Sequence, residues 1–301
     1  MSEDIPVALM IFNRPDLTRQ VMDQLAKAKP SILYVIADGV RSDEEQGECT
    51  KAREIALNPT WPCKVVPWLR ENNVGMVKQF KEGLDFVFNE HDSLIFMEDD
   101  HFLSPSFYQF SCELLERYKA NSKIVHINLT NYDPKFTLKQ TSDYFCSSHF
   151  SVWGFATWKH VWQTYDISMP EWKNHSKQNF FKFYFKNKRI AEGYTKMFDL
   201  HCDNTDPWTY DYQWLFNSMQ LRGYALTPKH NLCSNIGFER EDATHNKGKN
   251  PFLHPIEELN FPLQHPDKLN RNELFDEHIS RLMCPSIFQR ALNRITQKLK
   301  F

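Results

Sequence analysis

The stretch that decides the fold is SLIFMEDD, residues 93–100. Its four consecutive apolar residues predict a strand buried on both faces, as in a parallel sheet covered by helices. Glu98, Asp99 and Asp100 follow at once, so three mutually repelling carboxylates lie at the end of a core strand. A hard divalent cation bound through oxygen ligands would offset that repulsion. The alternative is a solvated acidic loop that favours the N-terminus of the next helix.

Outward from this stretch, short apolar runs alternate with longer periodic ones over the first 130 residues. This alternation predicts an α/β fold with a central, mostly parallel sheet flanked by helices. Ser104 is expected to cap the helix after the acidic triplet, with Pro105 at its first position. The predicted strands are 7–12, 32–37, 63–66, 93–97 and 124–129, and the predicted helices 16–27, 42–57 and 77–89.

Polar residues stand at the carboxyl ends of the first four predicted strands. They are residues 13–14, 38–39, 70–73 and the acidic triplet. Ligands of doubly wound sheets bind at these strand ends. Their chemistry fits a nucleotide diphosphate held through a metal ion.

The same segments resemble a known family. Residues 5–15, 36–39, 73–75 and 97–100, in this order, are similar to nucleotide-sugar glycosyltransferases of the GT-A fold, including N-acetylglucosaminyltransferase I and bacterial HlpA-like proteins. The resemblance is clearest over residues 5–130. It resumes more weakly at 150–154, 208–214 and 244–246.

The resemblance implies a donor site in the first half of the chain. It implies that Arg14, next to Phe12 in one donor-binding motif, and Asp38 hold the base and ribose. It places Lys78 or Gln79 near the diphosphate or ribose, although Gln79 stands where the eukaryotic enzyme is expected to have histidine. The alternatives are a surface ion pair for Arg14 and a turn role for Asp38.

The resemblance also implies a metal site for Mn²⁺ or Mg²⁺. Asp100 is the direct ligand in this reading, whereas Glu98 and Asp99 contact sugar or ordered water. His245, in a polar loop, resembles in its order along the chain a C-terminal histidine that completes the metal site in many GT-A enzymes. The alternative for His245 is a solvated loop residue.

Trp153 and Gly154 match the loop that the family places over the donor sugar. Glycine permits close approach of a backbone, and an aromatic face suits a pyranose ring. The alternative is that this loop, including Val152 and Phe155, belongs to the core.

An inverting transfer needs one general base for the acceptor hydroxyl. Asp211 is the candidate because aromatic neighbours within residues 208–214 would desolvate it, and the family motif carries its base there. Asp203 and Asp206 are alternative bases. Asp211 could instead be only the N-terminal acid of a helix over 212–220.

The composition of the chain limits the classes of partner that it is expected to bind. The 301 residues carry 36 Lys plus Arg against 38 Asp plus Glu, a net charge of −2, which offers no general attraction to nucleic acid. The N-terminus lacks signal-peptide features, so we expect a cytoplasmic protein. A basic amphipathic helix predicted over 287–299 would contact the inner face of the membrane or pack on protein.

Together these features predict a metal-dependent inverting glycosyltransferase that moves a sugar from a nucleotide donor, expected to be UDP-linked, to a glycan or lipid-linked glycan, as in bacterial surface polysaccharide synthesis. Residues 1–130 form the nucleotide-sugar-binding half, 131–250 the acceptor-binding and catalytic half, and 251–301 a C-terminal extension of one continuous unit. The alternatives are a non-catalytic carbohydrate-binding or scaffold protein and a nucleotidyltransferase. The last would need a glycine-rich loop after the first strand, where residues 12–15 are Phe-Asn-Arg-Pro.

Overall fold

The computed structural model describes residues 4–175, 177–204, 207–238, 250 and 252–283. Its strands are β1 Val7–Ile11, β2 Ile32–Ala37, β3 Lys64–Leu69, β4 Ser93–Glu98, β5 His101–Leu103, β6 Ile124–Asn128, β7 Tyr144–Ser147, β8 Phe155–Trp158, β9 Tyr224–Pro228 and β10 Cys233–Asn235. Its α-helices are α1 Pro15–Ala28, α2 Gln46–Leu57, α3 Met76–Glu90, α4 Ser106–Tyr118, α5 Pro134–Thr137, α6 Lys159–Trp162, α7 Lys177–Lys182, α8 Lys188–His201, α9 Asp211–Gln220 and α10 Glu273–Met283.

The core of the molecule is an eight-stranded sheet in the order β3-β2-β1-β4-β8-β6-β9-β7. Only β8 and β7 run against the other six strands, so the predicted α/β fold with a mostly parallel sheet is confirmed. The chain builds outward from β1 through β2 to β3, then returns to place β4 on the other side of β1. The strand order therefore reverses between β1 and β4, and open α/β sheets bind ligands at such a reversal.

The helices α1 and α3 are close to their predicted bounds, and the polar segment predicted as a helix over 42–57 forms a short turn at Asp43–Glu45 followed by α2. Each of the three helices buries its apolar residues. The prediction for β3 stops too early, at residue 66, because Pro67 looks like a strand breaker. In the structure Pro67 pairs with Val35 inside β3. A proline is tolerated there because β3 is an edge strand, where one side of the backbone needs no partner.

The segment after the acidic triplet differs from prediction. His101–Leu103 forms a short strand that pairs antiparallel with β10. Ser104 continues this ribbon, since its N–H donates to the Leu232 carbonyl at 2.9 Å. Its hydroxyl therefore makes no capping hydrogen bond to α4 within the described residues, and the predicted Ser104 cap is wrong.

One hydrophobic core joins the two predicted halves. Strands β6 to β9 extend the same sheet that β1 to β4 begin, and a single buried cluster runs from Val7 to Leu263. The predicted helix at 287–299 lies outside the described residues. In the part of the chain that is described, no helix has both the length and the apolar character needed to cross a membrane.

His126 is a fully buried histidine at the centre of this core. Its Nε2–H donates to the Ser151 carbonyl at 3.0 Å, and the Trp214 indole N–H donates to its Nδ1 at 3.3 Å. Burial lowers its pKa to about 3, so the ring stays neutral.

A pH-dependent stability follows for His126→Gln. As pH falls below about 6.5, the unfolded wild type binds a proton that the folded state refuses, so its free energy of unfolding decreases. Glutamine cannot titrate, so the stability difference between wild type and variant should narrow by about 2 kcal/mol between pH 7 and pH 5. Urea unfolding followed by circular dichroism measures it. Exposed His160 provides the control His160→Gln, and a pH-independent difference for His126→Gln would contradict this account.

Candidate active site

A cavity at the carboxyl ends of the parallel strands, the first cavity, has a volume of about 340 Å³. It opens at the reversal between β1 and β4, where the topology predicts a ligand. Residues that follow β1, β2, β3 and β4 all contribute to it. Its polar lining is Asn13, Arg14, Asp38, Arg41, Asn73, Gln79, Glu98, Asp99 and Asp100, with Phe12, Gly75, Met76 and exposed Trp208 among the remainder.

Asp38 holds the loop between β3 and α3. Its buried carboxylate accepts the backbone N–H groups of Gly39, Val74 and Gly75 at 2.9 to 3.0 Å. A side chain at Gly39 would meet the Asn72 backbone at 2.2 Å, so only glycine allows the two loops to approach this closely. Asp38 thus has the turn role given as its alternative in the sequence analysis, together with a contact to the loop after β3 that was not predicted, and it also faces the cavity.

The first turn of α3 directs Gln79 and Lys78 differently. Gln79 is buried against the first cavity, and its Oε1 accepts Nε–H of Arg70 at 2.8 Å. Its Nε2 has no partner among the described residues, which leaves a buried donor for a ligand. Lys78 does not line this cavity, and its Nζ lies 3.8 Å from Oε1 of Glu82. Because successive helix residues differ by about 100° in direction, only Gln79 of the two fits the predicted donor contact.

Hydrogen bonds connect the acidic triplet after β4 to the loop after β1 and to β10. The N–H of Phe12 donates to Asp99 Oδ2 at 3.1 Å, and Arg14 Nη1 donates to Asp100 Oδ2 at 2.8 Å. The other Asp100 oxygen accepts Nδ2–H of Asn235 from β10 at 3.1 Å. The loops after β1 and β4 are therefore tied together through Asp99 and Asp100.

Glu98 is positioned by two buried rings. The Tyr210 ring stacks on Phe80 with centroids 3.9 Å apart, and its hydroxyl donates to Glu98 Oε1 at 2.6 Å. The Glu98 backbone N–H donates to Nδ1 of His101 at 3.0 Å. Burial lowers the His101 pKa to about 4, so the neutral ring carries its proton on Nε2, which lies 3.6 Å from Asp100 Oδ1.

The three carboxyl groups of the acidic triplet disfavour one another's ionised forms. Burial, and then the Asp100 charge, raise the pKa of Asp99 to about 7 although Arg14 opposes the shift. Burial and the Asp100 charge likewise raise the Glu98 pKa well above its usual range. The Arg14 guanidinium alone therefore does not keep all three carboxyl groups ionised, and a further cation at the triplet would favour their ionised forms.

A divalent cation fits part of this donor set. Glu98, Asp100 and His101 offer three potential ligand atoms within 4.8 Å of one another. His101 cannot supply its Nε2 lone pair without moving the proton to Nδ1, where the Glu98 N–H already points. The two carboxylates therefore fit a hard cation, whereas His101 orients them. His245, the predicted further ligand, lies outside the described residues.

A second cavity of about 170 Å³ adjoins the first. Both are lined by Arg14, Met76, Glu98 and Asp100, so Glu98 and Asp100 lie between them, whereas Asp99 lines only the first. The second cavity is completed by His101, Val152, Trp153, Thr209, Tyr210, Asp211, Asn235, Gly237 and Phe238.

Asp211 is the candidate base that the structure brings into this second cavity. It is also the first residue of α9, so its position is compatible both with a catalytic role and with the role of an acid at a helix N-terminus. The alternative Asp203 lines neither cavity and pairs instead with Lys173 at the surface. Asp206 is outside the described residues.

Trp153 and Gly154 have separate roles. Trp153 lines the second cavity, whereas Phe155 is buried in the core. Gly154 lines neither cavity; it adopts φ +66°, and a side chain there would press on Leu129 and Cys233. Gly154 therefore has a packing role, and its contact with the donor stays a prediction.

Several site residues escaped sequence reasoning. Asn235 and Gly237 reach the triplet only through the β5–β10 ribbon, a pairing across more than 130 residues. His101 and Tyr210 were closer to detection, because each is adjacent to a residue singled out in the sequence.

Gly237 provides a test of how tightly Asp100 is held. A Cβ at Gly237 would lie 2.4 Å from Asp100 Oδ2, so Gly237→Ala must turn that carboxylate away from Arg14. We expect metal-dependent UDP affinity, measured by calorimetry, to fall about tenfold or more. Gly193→Ala is the control, since nothing lies within 4 Å of a Cβ there. Unchanged affinity in Gly237→Ala would show that the position of Asp100 does not matter.

Comparison with known proteins gives limited similarity. No protein-family model and no curated protein matches the chain. Among solved structures, a UDP-glucose pyrophosphorylase complexed with UDP-glucose is similar at 7% identity and TM-score 0.31, covering 53% of this chain and 78% of that one. HddC from Yersinia pseudotuberculosis is similar at 11% identity and TM-score 0.33, covering 54% and 80%. Similarity of this size carries no information on activity.

Proposed function

We propose that this protein is a metal-dependent inverting glycosyltransferase that uses a nucleotide sugar, with UDP as the expected nucleotide. The observation that supports the proposal is the pair of adjoining cavities with Glu98 and Asp100 between them. A two-substrate transfer needs a donor site and an acceptor site that meet at the reacting bond. A carboxylate, Asp211, is available on the acceptor side.

The order of the strands supports one orientation of the donor, in which Arg14 is proposed to contact the diphosphate instead of the base and ribose predicted from the sequence. Gln79 is held by Arg70 at the end of β3, on the opposite side of the first cavity from β4. The base and ribose would occupy the part near Asp38 and Gln79, where the unpartnered Nε2 can donate to a base carbonyl or a ribose oxygen. The diphosphate would then lie beside Arg14 and the acidic triplet.

Asp100 and Glu98 would hold a divalent cation, Mn²⁺ or Mg²⁺, which would supply positive charge beside the departing diphosphate. Asp99, held by the Phe12 N–H, keeps the loop after β4 in place. Tyr210 and His101 fix the Glu98 carboxylate and its backbone.

Asp211 would accept the proton of the acceptor hydroxyl as that oxygen bonds to the anomeric carbon. The bond from the anomeric carbon to the diphosphate oxygen breaks in the same displacement, and its electron pair leaves with the nucleoside diphosphate. Attack opposite the leaving group inverts the anomeric configuration. Trp153 would offer a ring face to a sugar in the second cavity.

A panel of nucleotide sugars incubated with Mn²⁺ and analysed by NMR tests the function. We expect release of nucleoside diphosphate, with the sugar in the opposite anomeric configuration. Nucleoside triphosphate formed only when pyrophosphate is added would favour a nucleotidyltransferase. Binding of donors without turnover, with acceptor sugars present, would favour the non-catalytic alternative.

A further inference from the structure

The pairing of Arg14 with Asp100 conflicts with simple metal binding. Arg14 Nη1 donates to Asp100 Oδ2 at 2.8 Å and also lies 3.9 Å from Asp99 Oδ1. The guanidinium thus provides positive charge at the carboxylate that the proposed function assigns to the cation. Arg14 is only partly exposed and Asp100 is buried, so bulk water screens this interaction incompletely.

The second Asp100 oxygen does not offer a free alternative. Oδ1 accepts Nδ2–H of Asn235 at 3.1 Å and faces Nε2 of His101 at 3.6 Å. A cation that binds Asp100 strongly therefore needs the oxygen that Arg14 holds. Two positive centres within a few ångströms in a partly buried site repel each other.

We propose that Arg14 is an exchangeable counter-ion of Asp100, which the divalent cation displaces and the diphosphate of the donor then takes up. Arg14 lines both cavities and directly precedes α1, so its side chain can turn from Asp100 toward the first cavity while its backbone stays fixed. The inference rests on the proposed function, because it takes the cation and the diphosphate from it.

The exchange couples the two ligands. Cation alone must compete with Arg14 for Asp100, and diphosphate alone must draw Arg14 from its carboxylate partner. Each ligand removes the obstacle to the other, so each should raise the affinity of the other by the same factor, about tenfold. The Arg14 side chain is thereby a positioning group that links occupancy of the metal site to occupancy of the donor site.

The test is a titration of Mn²⁺ alone, without nucleotide, followed by electron paramagnetic resonance of free Mn²⁺. Arg14→Gln should bind Mn²⁺ about tenfold more tightly than wild type, and its coupling to UDP should decrease, because only the direct attraction between the cation and the diphosphate remains. Arg14→Lys keeps a positive charge and should remain within about threefold of wild type. Arg41→Gln is the matched control, because Arg41 lines the same cavity but pairs with Glu45.

Three results would overturn the inference. The first is equal affinity of Arg14→Gln and wild type for Mn²⁺. The second is a gain in affinity in Arg41→Gln as large as in Arg14→Gln, because equal gains would indicate a general effect of charge. Absence of Mn²⁺ binding to every variant would overturn it as well. Titration of UDP in EDTA then separates the two failures, since UDP binding without metal would preserve the nucleotide site of the proposed function. Thermal unfolding verifies that each variant is folded.

Discussion

Asp211→Asn is expected to lower the rate of sugar transfer about 10³-fold while UDP affinity stays within about twofold. Asparagine has nearly the same shape as aspartate but cannot accept the acceptor's proton. Donor binding should survive because Asp211 lines only the second cavity, not the first. The rates are measured with an acceptor identified by the donor screen, and the affinities by calorimetry.

Asp203→Asn is the matched control for this prediction. It removes the same charge from a nearby acid that pairs with Lys173 at the surface, and asparagine tolerates the positive φ of 55° found there. Transfer by this variant should match wild type. Normal turnover in Asp211→Asn would remove Asp211 as the base, and loss of UDP binding would mean that it belongs to the donor site instead.

Asp100→Asn is expected to abolish the stimulation of UDP binding by Mn²⁺ and to lower transfer at least 10²-fold. The amide keeps an oxygen that can accept from Asn235, but it loses the charge that holds a hard cation. Calorimetry with and without EDTA gives the affinities, and the donor assay gives the rates.

Asp43→Asn controls for the change in net charge, since Asp43 is an exposed acid that lines neither the first nor the second cavity. We expect no loss of Mn²⁺ stimulation in this variant. If Asp100→Asn responded to Mn²⁺ as wild type does, the cation would have to bind elsewhere, and the assignment of Asp100 would be wrong.

The sequence predicts the fold of residues 5–130 well because the signals in that part of the chain are local. Apolar runs such as residues 93–97 and the periodic face of α3 depend on residues close in the chain. The same locality brings Arg14, Asp38 and the acidic triplet to neighbouring strand ends as soon as the strands are parallel. Neither inference requires knowledge of a distant contact.

The remaining features depend on long-range pairing, which one sequence does not display. Asn235 reaches Asp100 through the β5–β10 ribbon, and Tyr210 reaches Glu98 across 112 residues. The direction of a side chain could not be predicted from the sequence either. Lys78 and Gln79 are neighbours in the chain, yet only Gln79 lines the first cavity. The packing role of Gly154 depends on Leu129 and Cys233, which are distant in sequence.

The most direct test of the central claim is calorimetry of UDP titrated into the wild-type protein, once with Mn²⁺ and once with EDTA. The account predicts binding at one site per chain in Mn²⁺, with affinity about tenfold or more weaker in EDTA. Equal affinity in the two conditions, or no binding of UDP in either, would contradict a metal-linked nucleotide site at Glu98, Asp99 and Asp100.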